Sequence, residues 1–155
     1  MNVRRLGADD RLWLRRMLRD GWGGESMAAH GERFFPAEHE GFVAGDRAGV
    51  VTYRIVDGAC EITMIESYEP RHGVGSALLE AVVDGARAAG CSRVWLVTTN
   101  DNTHARRWYG ARGFVVTEVR PGAADEARRT LKPSIPERGG GGVRISDEIE
   151  MSLDL

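Results

Sequence analysis

Residues 68–79 read YEPRHGVGSALL, a turn with two glycines that runs directly into a helical pattern. Glycine permits positive φ and a close approach of the backbone, so Gly73 and Gly75 mark a place where a side chain would block a sharp bend or the approach of another group. The first amides of a helix lack acceptors within the helix, and they attract anions. The stretch therefore predicts a strand-to-helix turn that binds an anion.

The spacing of this turn bears on which anion it binds. A phosphate-binding loop of nucleotide hydrolases has Lys-Ser or Lys-Thr after its glycines, and neither pair follows here. A dinucleotide-binding turn needs a third glycine where this chain has Leu78, and an acidic residue where the next strand ends in Thr98-Thr99-Asn100. Judged by the two glycines alone, the alternative is that they only allow the chain to turn tightly and that no anion binds there.

Hydrophobic periodicity on both sides of the turn predicts a mixed α/β fold in a single domain over residues 1–155. Strands are predicted at 2–6, 42–44, 50–56, 60–67, 94–98, 114–120 and 148–153. Helices are predicted at 9–19, from the glycine turn to Gly90, and at 102–112. Asp9 or Asp10 is expected to cap the first of them. No element is assigned to the remaining long segments: 21–41 contains the loop GWGGES, and 121–142 is irregular in part and includes a flexible glycine run at 139–142.

Composition is that of an ordinary globular protein, with 42% hydrophobic and 28% charged residues. A net charge of −2 gives no basis for binding nucleic acid. No apolar run approaches the roughly 20 residues of a membrane helix, and no signal peptide is expected, so a cytoplasmic location is predicted. Cys60 and Cys91 lack CxxC partners, so we expect small buried residues and no metal site or disulfide.

A second segment identifies the kind of protein. Residues 100–114 read NDNTHARRWYGARGF, with the spacing N-x-x-A-x-x-x-Y-x-x-x-G-F from Asn102 to Phe114. With the glycine turn, this segment resembles the GNAT superfamily of acyl-CoA-dependent N-acetyltransferases, whose cofactor turn has the form [Q/R]-x-x-G-x-[G/A]. Both glycines match, whereas Pro70 stands where Gln or Arg is expected. The C-terminal part resembles one bacterial subgroup of that family.

The resemblance implies a GNAT-like fold, with a central, mostly antiparallel sheet, a splayed parallel pair of strands and flanking helices. It also implies acetyl-CoA as co-substrate, with pantetheine between strands 60–67 and 94–98. In that arrangement the Ile65 amide polarises the thioester carbonyl and Ser67 bonds the pantetheine. The implied cofactor-binding residues are Ile65, Ser67, Arg71, His72, Gly73, Val74, Gly75, Ser76, Asn102 and Tyr109.

The resemblance also implies the catalytic residues. Tyr109 falls where the family places a tyrosine that protonates the departing thiolate, and a phenol with an ordinary pKa of about 10 suits that role. Glu61 resembles the strand glutamate that some members use as a base, directly or through water; an ordinary surface residue is the alternative. Glu66 lies five residues later and is expected on the opposite face. The alternative bases are His30, His39 and His104.

The implied activity is transfer of an acetyl group from acetyl-CoA to a primary amine, by direct attack in a ternary complex. No cysteine lies in either motif, which argues against a covalent intermediate. A small-molecule acceptor is expected, and the apolar closing strand is compatible with the homodimers common in the family. Because of Pro70, an acyl-CoA-binding sensor or scaffold with little catalysis is the alternative. A nucleotide-binding α/β protein is a third candidate.

Overall fold

The computed structural model describes residues 1–69 and 72–155, which contain both strands and helices. The strands are β1 Val3–Arg5, β2 Met27–Ala29, β3 Glu32–Phe34, β4 Glu40–Ala44, β5 Gly49–Val56, β6 Ala59–Ser67, β7 Arg93–Thr99, β8 Val115–Arg120 and β9 Glu148–Asp154. The helices are α1 Ala8–Gly21, α2 Val74–Ala88, α3 Thr103–Gly110 and α4 Ala123–Thr130. Short 3₁₀ turns occur at Pro36–Glu38 and Gly140–Gly142.

The predicted fold class is confirmed, because the chain has a mixed α/β architecture with a mostly antiparallel sheet that includes a parallel pair. The chain forms two compact units. The first comprises Met1–Met17, Pro36–Val94 and Leu155; the second comprises Leu18–Phe35 and Trp95–Asp154. None of the described helices is both long enough and apolar enough to cross a membrane.

In the first unit, the strand order is β1-β4-β5-β6, and every one of these neighbours pairs antiparallel. Helix α2 packs against β4, β5 and β6. The contact is close at Gly49, where an added Cβ would lie 2.8 Å from the Glu66 carbonyl oxygen and 3.1 Å from Leu78 Cδ1. Because Gly49 of β5 has no side chain, α2 can pack closely against β5 and against β6, the strand that precedes the glycine turn.

Strand β6 contains a β-bulge at Thr63. Thr52 of β5 pairs with Met64, whereas the next residue, Tyr53, pairs with Ile62. Thr63 is therefore the extra residue between two successive pairs. Such a bulge disrupts the ladder locally and changes which side chains share a face, and bulges occur often beside active sites.

The bulge corrects one prediction about acidic residues. Glu61 pairs with Arg54 and Glu66 pairs with Val50. Arg54 and Val50 are four residues apart on β5, so their side chains lie on one face of the sheet, and so do those of their partners. The prediction that Glu61 and Glu66 project to opposite faces is wrong, because it assumed an uninterrupted alternation along β6.

In the second unit, the strand order is β7-β9-β8, and β2 and β3 form a separate hairpin. The two turn residues of that hairpin, His30 and Gly31, have φ of 43° and 78°. The hairpin lies in segment 21–41 and α4 lies in segment 121–142. Neither element was predicted from the sequence.

Candidate active site

The glycine turn leads into α2 with an exposed, left-handed cap. Gly73 is the N-cap residue, with φ of 74°. A Cβ at this position would meet no atom of the described residues beyond its chain neighbours within 4 Å, and the positive φ alone is a reason for glycine here. The first bond of the helix runs from the Ala77 amide to the Gly73 carbonyl, at 3.0 Å. The amides before Ala77 are those that a helix cannot satisfy internally.

The remaining predicted residues of this turn are placed as follows. His72 and Ser76 are exposed, Gly75 is half-buried and Val74 is buried. Arg71 and Pro70 lie outside the described residues, so the predicted Arg71 contact stays a prediction. The turn thus presents exposed helix-terminal backbone, as an anion site requires.

Strand β6 directs the backbone groups of two predicted residues away from β5. The Tyr68 amide donates to the Ala48 carbonyl at 2.8 Å, which makes this a hydrogen-bonded pair. Bonded and non-bonded pairs alternate along an antiparallel ladder. Ser67 and Ile65, one and three residues earlier, therefore occupy non-bonded positions relative to β5. Their N–H and C=O groups point to the other edge of β6.

Glu61 is a buried residue with a fixed partner. Its side chain is 6% exposed, and its Oε1 accepts a hydrogen bond from Arg54 Nε at 2.8 Å. The alternative that Glu61 is an ordinary surface residue is therefore wrong. On the same face, Glu66 Oε2 accepts a hydrogen bond from the Tyr68 hydroxyl at 3.3 Å. Burial, together with the Glu66 charge, raises the pKa of Tyr68.

Three polar side chains form a series of hydrogen-bonding contacts, and one of them, Thr63, lies two residues after Glu61 on β6. His39 Nδ1 is 2.9 Å from Thr63 Oγ1, and Thr63 Oγ1 is 2.7 Å from Thr52 Oγ1. Thr52 is fully buried, Thr63 is nearly so, and His39 is half-buried. The two threonines were not predicted as site residues. The hairpin register offered a signal for them, because pairing across the Asp57-Gly58 turn places Thr52 opposite Thr63 when the strands are regular.

In the second unit, helix α3 carries Asn102 and Tyr109. Asn102 caps the helix, since its Oδ1 accepts a hydrogen bond from the Ala105 amide at 3.1 Å. Tyr109 is 5% exposed, and its ring centroid lies 5.2 Å from that of Phe114. Burial raises the pKa of the Tyr109 phenol, so Tyr109 is protonated at neutral pH. The predicted core position of Phe114 is confirmed, at 3% exposure.

The two cysteines are buried, as predicted, and they do not form a disulfide with each other. Burial raises the pKa of Cys60 to about 12, so its thiol remains protonated near neutral pH. Among the described residues, no group of three or more His, Cys, Asp or Glu side chains is arranged to hold a metal ion. The other two histidines proposed as bases differ in setting: His30 lies against Trp95 at 5.2 Å between ring centroids, and His104 is exposed on α3.

Comparison with known sequences identifies relatives over most of the chain. The profile of the Acetyltransferase (GNAT) family matches residues 6–114. The uncharacterized protein YdhI of Bacillus subtilis (strain 168) is 42% identical over 135 residues, which are 84% of each chain. The uncharacterized protein YxbD of the same organism is 35% identical over 107 residues, 69% of this chain and 67% of YxbD.

Solved structures share the fold. An acetyltransferase from Bacillus subtilis, solved in complex with CoA, has a TM-score of 0.68, with 19% identity and coverage of 99% of both chains. A GNAT family acetyltransferase from Elizabethkingia anophelis, solved with acetyl-CoA bound, has a TM-score of 0.70, with 18% identity and coverage of 99% and 97%. Because the family profile covers most of the sequence, the predicted family is confirmed, and the chain belongs to the GNAT acetyltransferase family.

Proposed function

We propose that this protein transfers an acetyl group from acetyl-CoA to a primary amine of a small molecule, by direct attack in a ternary complex. The observation that carries the proposal is the exposed, glycine-capped N-terminus of α2, which follows a strand whose Ile65 and Ser67 backbone groups point away from β5. Two structural neighbours were solved with CoA and acetyl-CoA, which supports acetyl-CoA as the donor here.

The first turn of α2 is suited to the diphosphate of coenzyme A. The amides of Val74 and Gly75 precede the first bond of the helix, and the helix dipole adds to their attraction for an anion. Ser76 belongs to the same turn. The absence of a side chain at Gly73 leaves the approach open, since an added Cβ would meet no protein atom there. Arg71 and His72 would add contacts from the same turn.

Strand β6 is proposed to hold the reactive end of the donor, which supplies an activated acyl group when bound. The Ile65 amide would donate to the thioester carbonyl, where negative charge develops during attack. One such donor contributes about 2–4 kcal/mol to stabilisation of a transition state. Ser67 would bond the pantetheine arm along the same edge. Asn102 would contribute a contact from the cap of α3.

Tyr109 is proposed to protonate the sulfur as the carbon–sulfur bond breaks. Burial raises the pKa of the phenol, which keeps the proton on Tyr109 before the reaction but also makes the phenol a weaker acid. The transfer is proposed to occur as negative charge develops on the sulfur. The protonated thiol of buried Cys60 offers no nucleophile for a covalent intermediate, which agrees with direct transfer.

Glu61 is proposed to act on the acceptor from β6. A carboxylate attracts a protonated amine by its charge, and it can also take the amine proton directly or through water. The contact with Arg54 holds the Glu61 carboxylate in one orientation on β6. The single-domain organisation over residues 1–155 and a homodimeric assembly remain part of this proposal.

The test is release of free thiol from acetyl-CoA with a panel of primary amines: alkylamines, arylalkylamines, diamines, amino-acid amides and a short peptide. The fastest product is identified by its mass. We expect Tyr109→Phe to lower kcat about a hundredfold and to leave the Kd for acetyl-CoA unchanged. Tyr53→Phe is the matched control, because it removes the same hydroxyl from a tyrosine that is also buried.

Equal turnover by wild type and Tyr109→Phe would remove Tyr109 from the mechanism. Tight binding of acetyl-CoA without thiol release from any amine of the panel would overturn the proposed catalysis and favour the sensor or scaffold.

A further inference from the structure

We propose that His39 is the general base that removes the proton from the attacking amine, and that Thr63 and Thr52 position its imidazole. The proposal rests on the proposed function and assigns the proton-accepting role to a residue other than Glu61. Every contact that carries it lies within the first unit.

The imidazole is anchored through one ring nitrogen. Nδ1 of His39 lies 2.9 Å from Thr63 Oγ1, and a second hydroxyl, that of Thr52, lies 2.7 Å behind it. Thr52 is fully buried, and a polar group so placed is costly unless it is hydrogen-bonded. The contact with Thr63 satisfies that hydroxyl and fixes the direction of the Thr63 side chain. The pair thus forms a rigid support for the ring.

The backbone of His39 is held as well as its ring. The His39 amide donates to the Pro36 carbonyl at 3.0 Å. Arg11 Nη1, on α1, donates to the carbonyls of Ala37 and His39 at 2.8 and 2.6 Å. Segment 36–39 is therefore attached to α1, and the imidazole is attached to the sheet. A base must be placed accurately to be effective, and this one is fixed at both ends.

The support lies close to the residue proposed to hold the thioester. Thr63 precedes Ile65 by two residues on β6, and a strand advances about 3.3 Å per residue. The bulge leaves Thr63 as the extra residue between the Thr52–Met64 and Tyr53–Ile62 pairs, and its hydroxyl still contacts that of Thr52. An amine that attacks a carbonyl bonded to the Ile65 amide would thus come within reach of a side chain mounted on Thr63.

Histidine suits the proton transfer better than the carboxylate on the same strand. Its ordinary pKa of about 6.5 leaves a neutral imidazole available at neutral pH. Glu61, in contrast, is buried and bonded to Arg54. We assign the proton exchange to Nε2, because Nδ1 is bonded to Thr63. The contacts of His39 include the charged Arg11 on α1, which binds its backbone carbonyl, and the neutral Thr63 on the sheet, which is backed by Thr52. The exposed chain neighbours are Glu38 and Glu40.

The step balances as follows. The amine nitrogen forms a bond to the acetyl carbon and gives one proton to Nε2 of His39. The bond between that carbon and sulfur breaks, and the sulfur takes one proton from Tyr109. The products are an amide and a thiol; His39 then loses its proton to water, and Tyr109 regains one.

The test compares kcat and kcat/KM across pH for wild type, His39→Gln and Glu61→Gln, with acetyl-CoA and the fastest amine of the panel. We expect the activity of the wild type to rise as the pH is raised through about 6–7, which gives the pH profile an acidic limb. His39→Gln should lose this limb and about 10²–10³-fold in kcat, with the Kd for acetyl-CoA unchanged. The limb should persist in Glu61→Gln, whose loss should fall mainly on the KM for the amine. His104→Gln, on exposed α3, is the matched control.

Two further measurements separate catalysis from structure. Thr63→Val should lower kcat about tenfold and move the limb, whereas Thr63→Ser, which keeps the hydroxyl, should restore both. Added imidazole should raise the turnover of His39→Ala and leave its melting temperature unchanged.

The inference is overturned if His39→Gln keeps the limb, if Glu61→Gln abolishes it, or if imidazole gives no rescue. Any of these results, with wild-type turnover intact, leaves the proposed function standing. Failure of the wild type to acetylate any amine removes both.

Discussion

The carboxylate of Asp10 receives hydrogen bonds from three groups at the start of α1. Arg4 reaches both of its oxygens, the Gly7 amide donates to Oδ2 at 2.8 Å, and Arg47 Nε donates to Oδ1 at 3.1 Å. These partners, Arg4 foremost, hold the pKa of Asp10 well below its usual range. The predicted cap thus acts from inside the helix, because a side chain in the first turn reaches back to the amide that precedes it.

Asp10→Asn is expected to lower the free energy of unfolding by about 2 kcal/mol at pH 7. Because the folded-state pKa is depressed, the charged carboxylate contributes stability above its unfolded pKa of about 4, and this is lost as pH falls below that value. Urea denaturation should therefore show a loss that shrinks between pH 7 and pH 3. Asp9→Asn, at the exposed neighbouring position, is the control, and an equal loss in both variants would contradict the argument.

At the scale of elements, the contact between α2 and β5 depends on Gly49. An alanine there would push against Leu78 and the Glu66 carbonyl, and overpacking of this kind costs about 1–3 kcal/mol. Gly49→Ala should therefore lower the melting temperature. Gly85→Ala, in the interior of α2 with nothing within 4 Å of the added Cβ, should raise it, because alanine favours helix by about 0.5–1 kcal/mol. A loss in both variants would show that glycine serves another purpose in α2.

The elements that could be predicted carry strong local signals. Helix α2 has apolar residues at helical spacing, and β6 follows a tight Asp57-Gly58 turn, so both were placed within two residues. Helix α4 buries only the alanines at 124 and 127, which gives a weak periodic pattern. The β2–β3 hairpin turns at His30-Gly31, and histidine is not the residue usually found at positive φ. Their positions follow from tertiary packing, which outweighs such weak propensities.

The candidate site divides in the same way. Gly73 and Tyr109 were predicted from motifs within one segment each, and Ile65 was predicted from the family resemblance. The contact between His39 and Thr63 joins residues 24 positions apart and arises only when the segment after β3 folds onto the sheet. The bulge at Thr63 could not be recognised from the pattern of apolar and polar residues along β6. Local sequence therefore predicted the donor-binding residues and offered His39 as one of several alternative bases, whereas the contact of His39 with Thr63 could be seen only in the folded chain.

At the scale of the whole molecule, donor binding should appear as added stability. A ligand that binds only the folded chain stabilises it by about 2.7 kcal/mol at a concentration of 100 Kd. For a chain of this size that corresponds to a rise of about 5–10 °C in melting temperature. We expect this rise with acetyl-CoA and CoA, and no rise with ATP or NAD. A rise with either nucleotide instead would favour the nucleotide-binding candidate.

A comparison of two glycines can distinguish an effect on the proposed binding site from an effect of backbone strain. Gly73 caps α2 with φ of 74°, and Gly122 caps α4 with φ of 76°; an added Cβ meets nothing within 4 Å at either. Alanine at either position should therefore lower the stability of the free protein by about 1 kcal/mol. Only Gly73→Ala should also shrink the shift produced by acetyl-CoA, because its Cβ would stand where the diphosphate approaches the helix amides. Equal shifts in the two variants would place the donor away from the N-terminus of α2.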